Sequence, residues 1–551
     1  MRKKYYLLAL MSVAVVLISA LLVFFFKYRL QRVTPGCDVE FDLLIEDVEI
    51  VDGSGKPPFH ADVGINNKRI ACISDLVKAK GKVTINATGL TLAPGFIDVH
   101  THIEHNVSQG ASFFAPNFVK QGVTTVITGN CGRSFLEIGK FFNRLEKNGM
   151  QVNVATLIGH NTVRSQVMKQ RAAPPTGPEM SAMASLVNRA MRDGALGLST
   201  GLVYVPGTFA KTDEIASLAK VAAGKNGLYV SHIRDEGAGG VAALQEAIFI
   251  GDKAGVQVHI SHFKAQGPLL WGSATARLDL VRAAKDRGVM ISADQYPYTA
   301  SSTGIAVLLP PWLSEGDFGR AKLKLQDPTT RGRIRNEMLA QLKINGWTDY
   351  SFARVAYYKF DPSLVGLTIA DITHKREASG KSQDGVTESE HQAETIIDLY
   401  SHGGAQMIFF DMSEDDVETI MKNPDVMFGS DSGVRDENLT VLPHPRGFGT
   451  FPRILGVYVR EKTLLSLEEA VRRMTSLPAA TFGLSGRGLI RENNWADLVI
   501  FDRKQIVDTA TFEKPLSPPQ GIRYVIVNGS IVLDQEKLTN TLPGMVLRHS
   551  D

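Results

Sequence analysis

Six side chains of metal-binding type recur along this sequence: His100 and His102 in "DVHTH", Cys131 in "TGNCG", His232 in "YVSHIRDEG", His262 in "VHISHFKAQG" and Asp431 in "GSDSG". Imidazole, thiolate and carboxylate are the groups that hold transition-metal ions. Taken singly, each has an ordinary explanation. A histidine near a strand end is commonly satisfied by hydrogen bonds, a solitary cysteine is commonly a buried inert thiol, and an aspartate in a Ser/Gly setting serves as a turn or N-cap residue. Placement changes the weighing. His100 and His102 occupy alternate positions of one strand and so point the same way. All six residues fall at the C-terminal ends of strand-like runs.

Those runs set the architecture. Eight apolar, β-branched stretches occur at 95–102, 124–131, 152–161, 195–204, 227–236, 256–265, 288–298 and 426–433, with helical stretches between them. Alternation of this kind marks parallel βαβ units, and eight of them argue for an α/β fold, a closed (β/α)8 TIM-like barrel whose site is built at the C-terminal mouth. Six candidate ligands on five strands would then face one mouth. Residues 299–425 separate the last two strands, far too many for a connection, so an insertion of about 310–420 is expected between strands 7 and 8.

Short strands with Gly and Pro turns precede the barrel ("DVEFDLLIEDVEIVDG", "ADVGINNKRIACISD") and follow it ("WADLVIFD", "IRYVIVNGSIVLD", the latter with an Asn-Gly hairpin turn). Packing both ends as one small β domain is the economical arrangement. The expected division is an anchor and linker over 1–35, a small β domain over 36–94 and 486–551, and the barrel over 95–485.

At this point a resemblance is plain. The chain resembles the amidohydrolase superfamily, and within it the N-acyl-D-amino acid deacylases (D-aminoacylases), along 38–545. It does so through "APGFIDVHTHIEHN", "TTVITGNCG", "LIGHNTVR", "GALGLSTGLVYVPG", "YVSHIRDEG", "HISHFKAQG", "ADQYPY", "FGSDSG" and "HPRGFGTFPRILG". The first is shared across the superfamily; Cys131 in "GNCG" and the paired "SHIRDEG" and "SHFKA" runs are specific to the deacylases. The resemblance implies that Cys131, His232 and His262 bind a tightly held Zn2+, with His100 and His102 joining Cys131 around a weaker second position. Related hydrolases that bridge two metals through a modified lysine on the fourth strand are a poor match, because "ALGLSTGLVYVPG" has no lysine.

The implied reaction is metal-assisted hydrolysis of the amide of a small-molecule N-acyl-D-amino acid, giving a carboxylate and a free D-amino acid. Asp431 would accept a proton from water and pass it to the departing amine, and Tyr204 would help stabilise the oxyanion. Arg446 offers bidentate geometry for the substrate α-carboxylate. Lys264, Tyr296 and Ser302 match positions the family uses around that carboxylate, with Ser301 as the alternative to Ser302. Tyr298 reads equally as core packing, and Asp235 and Glu236 read either as residues that orient loops or ligands or, more simply, as solvated loop charges. Hydrolysis of a cyclic amide or a dipeptide is the alternative activity, and a non-catalytic membrane-anchored binding protein the alternative outside enzymes.

Length and charge complete the reading. The 551 residues, 44% hydrophobic, exclude disorder and a disulfide miniprotein. The net charge of +3 is uneven: Arg2, Lys3, Lys4, Lys27, Arg29 and Arg32 lie before residue 36 with no acid, leaving 54 basic against 57 acidic residues in the body. A mildly acidic body argues against a nucleic-acid partner. Tyr5–Phe26 is free of charge and as a helix spans roughly 33 Å, enough to cross a bilayer. An uncleaved N-terminal transmembrane helix with the catalytic body outside the cytoplasm is expected, a cleaved signal peptide being the alternative. Three cysteines, Cys37, Cys72 and Cys131, allow at most one bridge.

Overall fold

The eight barrel strands are short, apolar and buried on both faces, the pattern of a parallel sheet covered by helices. In the computed structural model, which describes residues 37, 40–76, 79–107, 111–378, 387–437 and 441–549, they are β1 Phe96–Asp98, β2 Val123–Thr128, β3 Asn153–Thr156 with its continuation Ile158–Gly159, β4 Gly197–Gly201, β5 Leu228–His232, β6 Val258–Ile260, β7 Ile291–Gln295 and β8 Val426–Phe428. Every neighbouring pair is parallel. A parallel bridge between Thr101 and Ser432 brings the last strand back to the first and closes the barrel. Asp98 adds a second clasp there, its Oδ1 accepting from the backbone N–H of Ser430 at 2.9 Å and of His100 at 3.2 Å. Burial lifts this carboxyl to about 7.

Strands from both chain ends share a nine-stranded sheet. Glu40–Ile50, Phe59–Asn66 and Arg69–Ser74 continue through Thr91–Pro94 into Leu498–Phe501, Ile522–Val527, Ser530–Asp534 and Lys537–Leu538, with Lys80–Asn86 paired to the first strand. Asn528 and Gly529 form the hairpin turn, both at positive φ (46° and 77°), as a two-residue loop between twisted strands requires. Cys37 and Cys72 form a disulfide at the edge of this sheet. The last residues leave the sheet: Pro543 and Val546 bridge to Met150 and Val154 beside β3, so the chain's end packs on the barrel.

The insertion is larger at its start than the sequence suggests. Its strands Ser301–Gly304, Ala353–Tyr357 and Gln406–Phe409 form a separate antiparallel sheet, and with the helices Pro328–Ile344 and Glu388–Ser401 they enclose a core of their own around Leu313, Ile334, Ile369, Ile396 and Met407. The expected bounds of about 310–420 therefore shift to roughly 301–411, because "SSTG" opens the sheet without an apolar run and Glu414–Met421 is the barrel helix before β8. Tyr5–Phe26 lies outside the described residues; among those described, no helix is long and apolar enough to cross a membrane.

Candidate active site

All six expected residues meet at the C-terminal mouth. The Cys131 sulfur stands 3.3 Å from His100 Nε2, 3.5 Å from His232 Nδ1 and 3.6 Å from His262 Nε2. Asp431 Oδ1 lies 3.1 Å from His102 Nε2 and 3.6 Å from His100 Nε2. His232 ends β5, His262 follows β6 by two residues, and Cys131 and Asp431 follow β2 and β8 by three. The backbone turns sharply to deliver them. Cys131 (φ 52°), His262 (φ 35°) and Asp431 (φ 49°) all occupy the left-handed region, an expensive conformation for non-glycine residues that concentrates at functional sites. Gly132 (φ 74°) lets the turn pass, since a Cβ there would come within 2.3 Å of Asn161 Oδ1.

The donor chemistry and spacing fit a tetrahedral zinc. Thiolate and imidazole ligands at about 2.3 and 2.1 Å from a tetrahedral ion are roughly 3.5 Å apart, which is how the sulfur stands to the histidines. At this mouth the sets of three donors within 4.8 Å of one another are His100–Cys131–His262, His100–His102–Asp431 and His232–Glu236–His262; the implied trio Cys131–His232–His262 is not one of them, His100 standing with Cys131 and His262 instead. The second set brings Asp431 to His100 and His102, where the resemblance implied Cys131.

Carboxylates behind the histidines fix their orientation. Asp294 on β7 places Oδ2 3.4 Å from His100 Nδ1 and 2.9 Å from His259 Nε2, and its Oδ1 accepts from the backbone N–H of His262 at 2.9 Å. Glu236 Oε1 lies 2.9 Å from His262 Nδ1 and 2.7 Å from Lys264 Nζ. Such partners select the tautomer that turns the opposite ring nitrogen toward a metal. The charges are mutually supporting. Burial opposes ionisation of Cys131, but His100 and His232 hold its thiol well below the ordinary range. Burial opposes protonation of His102 too, yet Asp431 and Cys131 lift it to about 9.

The expected substrate-binding residues are distributed unequally. Arg446 is buried, with Nη1 2.8 Å from Asp431 Oδ2, Nη2 donating to the Ser302 carbonyl at 3.2 Å, and its guanidinium 4.7 Å above the Tyr296 ring. Tyr204 packs against His232 at the cavity wall, ring centroids 5.0 Å apart and planes tilted by 60°. Burial raises its hydroxyl above the usual phenol range, so it stays a donor. Tyr296 has a buried hydroxyl with no partner among the described residues. Lys264 donates to Glu236, and its Nζ also lies 2.7 Å from His262 Nδ1. The Ser302 hydroxyl donates to the Met407 carbonyl and the Ser301 hydroxyl to Asp411, both at 2.8 Å. Tyr298 packs among His444 and Phe512.

Glu236 corrects the sequence reading. It is buried rather than solvated, because Lys264 and His262 converge on it from β6. Asp235 beside it is a turn residue, accepting from the N–H of Gly237 and Gly239. Asp294, His259, Asp98 and His444 were not singled out from sequence. His444 holds the Arg446 backbone, its Nδ1 accepting from that N–H at 3.0 Å, while its Nε2 lies 2.8 Å from the Ala300 carbonyl. "ADQYPY" carried the one available signal, an aspartate at the inward end of a barrel strand.

A metal-binding mouth on a closed parallel barrel is the design of a metal-dependent hydrolase, and comparison places it: the profile described as "Amidohydrolase family" matches residues 83–296 and 373–533, and the chain belongs to that family. The internal gap in that match, 297–372, lies almost wholly in the insertion. Within the family it stands among the N-acyl-D-amino acid deacylases. It is 36% identical to the D-aminoacylase of Alcaligenes xylosoxydans xylosoxydans over 92% of this chain and 97% of that protein. The structure of N-acyl-D-glutamate deacylase from Bordetella bronchiseptica, complexed with zinc and a phosphonate mimic of the tetrahedral intermediate, superposes with a TM-score of 0.77 at 33% identity, covering 92% of this chain and all of that one. A D-aminoacylase described as having a binuclear metal centre with one-metal activation and second-metal attenuation matches equally, at a TM-score of 0.77 and 33% identity over the same shares of both chains.

Proposed function

We propose that this protein is a zinc-dependent deacylase that hydrolyses the amide of N-acyl-D-amino acids to a carboxylate and a free D-amino acid. The observation that carries the proposal is the Cys131 sulfur within 3.6 Å of three imidazole nitrogens, in a chain a third identical to deacylases over nearly its whole length. Cys131, His232 and His262 would hold one Zn2+ tightly, and His100, His102 and Asp431, beside Cys131, a weaker second ion. A bound zinc would supply Lewis-acid polarisation of the scissile carbonyl and a lowered pKa for the attacking water.

The chain's own residues supply the rest. Asp431 Oδ1, poised beside the histidines, takes the proton of the attacking water and returns it to the departing nitrogen, which must be protonated to leave. Tyr204 donates its hydroxyl to the carbonyl oxygen as charge develops there. Arg446 presents the guanidinium that receives the α-carboxylate, with Tyr296 and Ser302 beside it and Lys264 close by. The barrel over 95–485 carries this chemistry and the β domain, 36–94 with 486–551, buttresses it.

The protein is further proposed to be held at a membrane through the charge-free apolar run Tyr5–Phe26, its catalytic body outside the cytoplasm. The Cys37–Cys72 bridge supports that side, since disulfides persist in oxidising compartments.

The test is hydrolysis of matched D and L N-acetyl amino acids by the full chain, before and after chelation. Release of free amine from the D series alone, lost with chelator and restored by zinc, is expected. Turnover of cyclic amides or dipeptides with none of N-acyl-D-amino acids would replace this reading with the alternative amidohydrolase activity.

A further inference from the structure

The cavity above the metal-ligand cluster measures about 810 Å3 and is lined by two sets of residues. The barrel supplies His232, Glu236 and Asp431, with Asp411 of the insertion as a further carboxylate. The insertion supplies an aliphatic and aromatic wall of Leu308, Leu309, Met338, Leu342, Trp347 and Phe352, interrupted by polar side chains such as Asp317, Glu337 and Gln341. Pockets for drug-sized ligands run about 300–1,000 Å3, whereas an N-acetyl amino acid has only about a dozen non-hydrogen atoms. A substrate of that size would lie against the ionic lining and leave the apolar wall unused. The apolar surface also continues outward: Ile344 on the cavity wall is 54% exposed, and Trp271, 44% exposed, meets the Trp347 ring edge-on at 6.2 Å. Exposed apolar side chains contiguous with a ligand cavity mark a recognition surface.

We propose that the insertion chamber holds the acyl chain, and that the preferred substrates are N-acyl-D-amino acids with unbranched acyl groups of about eight or more carbons. This rests on the deacylase reading above. The two halves of such a molecule match the two kinds of lining. The amino-acid half carries the carboxylate and belongs toward Arg446, which stands behind the lining residue Asp431 and whose neighbours are the Ser302 carbonyl and, one residue away, the Ser301–Asp411 pair. A long aliphatic side chain would meet hydroxyl and carboxyl groups there. The acyl half leaves the scissile carbonyl in the other direction, toward the aliphatic wall. Hydrolysis adds water across the C–N bond, the hydroxyl going to the acyl carbon and the proton to the amine, and releases a fatty acid and a free D-amino acid.

The test uses the zinc-loaded full chain with acetyl, butyryl, hexanoyl, octanoyl and decanoyl derivatives of one D-amino acid. Each methylene drawn into the chamber should raise kcat/KM roughly three- to fourfold over the first several carbons, from about 0.8 kcal/mol per buried CH2. Ala306→Trp, which fills the chamber from its wall, and Leu308→Gln should each lower the decanoyl-to-acetyl ratio of kcat/KM at least tenfold. A flat or falling chain-length profile with good acetyl turnover overturns the acyl-chamber proposal and leaves the deacylase reading standing. So does an unchanged ratio in both variants, or a gain seen only when the D side chain is lengthened at constant acetyl. Absence of turnover with every member removes the deacylase reading and this one with it.

Discussion

Arg446 Nη1 and Asp431 Oδ2 form a buried ion pair at 2.8 Å, while the other oxygen of Asp431 faces His102 and His100. One carboxylate thus joins the guanidinium to the histidine cluster. Burial opposes its ionisation, but Arg446 and the histidines outweigh burial and hold it well below the usual carboxylate range. Asp431→Asn keeps the shape and removes the proton acceptor. It should lower kcat by about 10²–10⁴, the worth of a positioned acid–base group, and keep the ion bound by Cys131, His232 and His262. Zinc content by elemental analysis alongside turnover checks both; near-full activity would end the assignment.

Arg446 touches both Asp431 and the proposed carboxylate site, and a substrate lacking the carboxylate separates the two jobs. Arg446→Ala should reduce kcat/KM for an N-acetyl-D-amino acid at least a hundredfold, since truncating one member of a buried charge pair strands the other. With the corresponding D-amino acid amide the loss should be smaller, the difference measuring the carboxylate contact. Equal losses would show that Arg446 acts through Asp431 alone.

The ligand types were legible because strand ends announce themselves: a β-branched run that stops at His or Cys points those side chains at the mouth. What supports them was not. Glu236 follows His232 in a Gly-rich loop and looks solvated until β6 delivers Lys264 and His262 to it. Asp294 becomes meaningful only when β6 and β7 pair and bring His259 against it. The start of the insertion is hidden from the sequence for a related reason. "SSTG" has no apolar period, and its strand character comes from pairing with Gln406–Phe409, a hundred residues away.

Glu236→Gln tests that support directly. Lys264 would lose its counter-charge and His262 the carboxylate that sets its tautomer, so zinc affinity should fall about 10–100-fold, the usual cost of removing an outer partner of a ligating histidine. Competition with a chromogenic chelator reads the affinity, and excess zinc should restore much of the activity. Unchanged affinity would reduce Glu236 to a structural ion pair.

Cys131→Ala should behave differently from both, because it takes away the sulfur at the centre of the cluster. Tight zinc and turnover should be lost together, and excess metal should not restore them. Cys131→Ser, with a hydroxyl that is a much weaker ligand than a thiolate, should retain little of either. A Cys131→Ala protein that still carries one tightly bound zinc would move the principal site to His232, His262 and Glu236.

Proton and metal compete for His102 Nε2, and the sign of that competition follows from its surroundings. Burial disfavours the imidazolium, but Asp431 and Cys131 stabilise it enough to lift His102 to about 9. In the metal-free cluster the ring carries, below that value, a proton that a metal must displace; a zinc held by Cys131 withdraws part of the lift, so the weaker second position should fill more readily as pH rises from 6 and level off at or below 9. Up to about tenfold in affinity per pH unit is the expected slope if one proton leaves, measurable by titrating the one-zinc protein with a second equivalent at several pH values. His102→Asn should flatten the slope while leaving the tight site loaded. An affinity independent of pH in the unmodified protein would remove His102 from the second position.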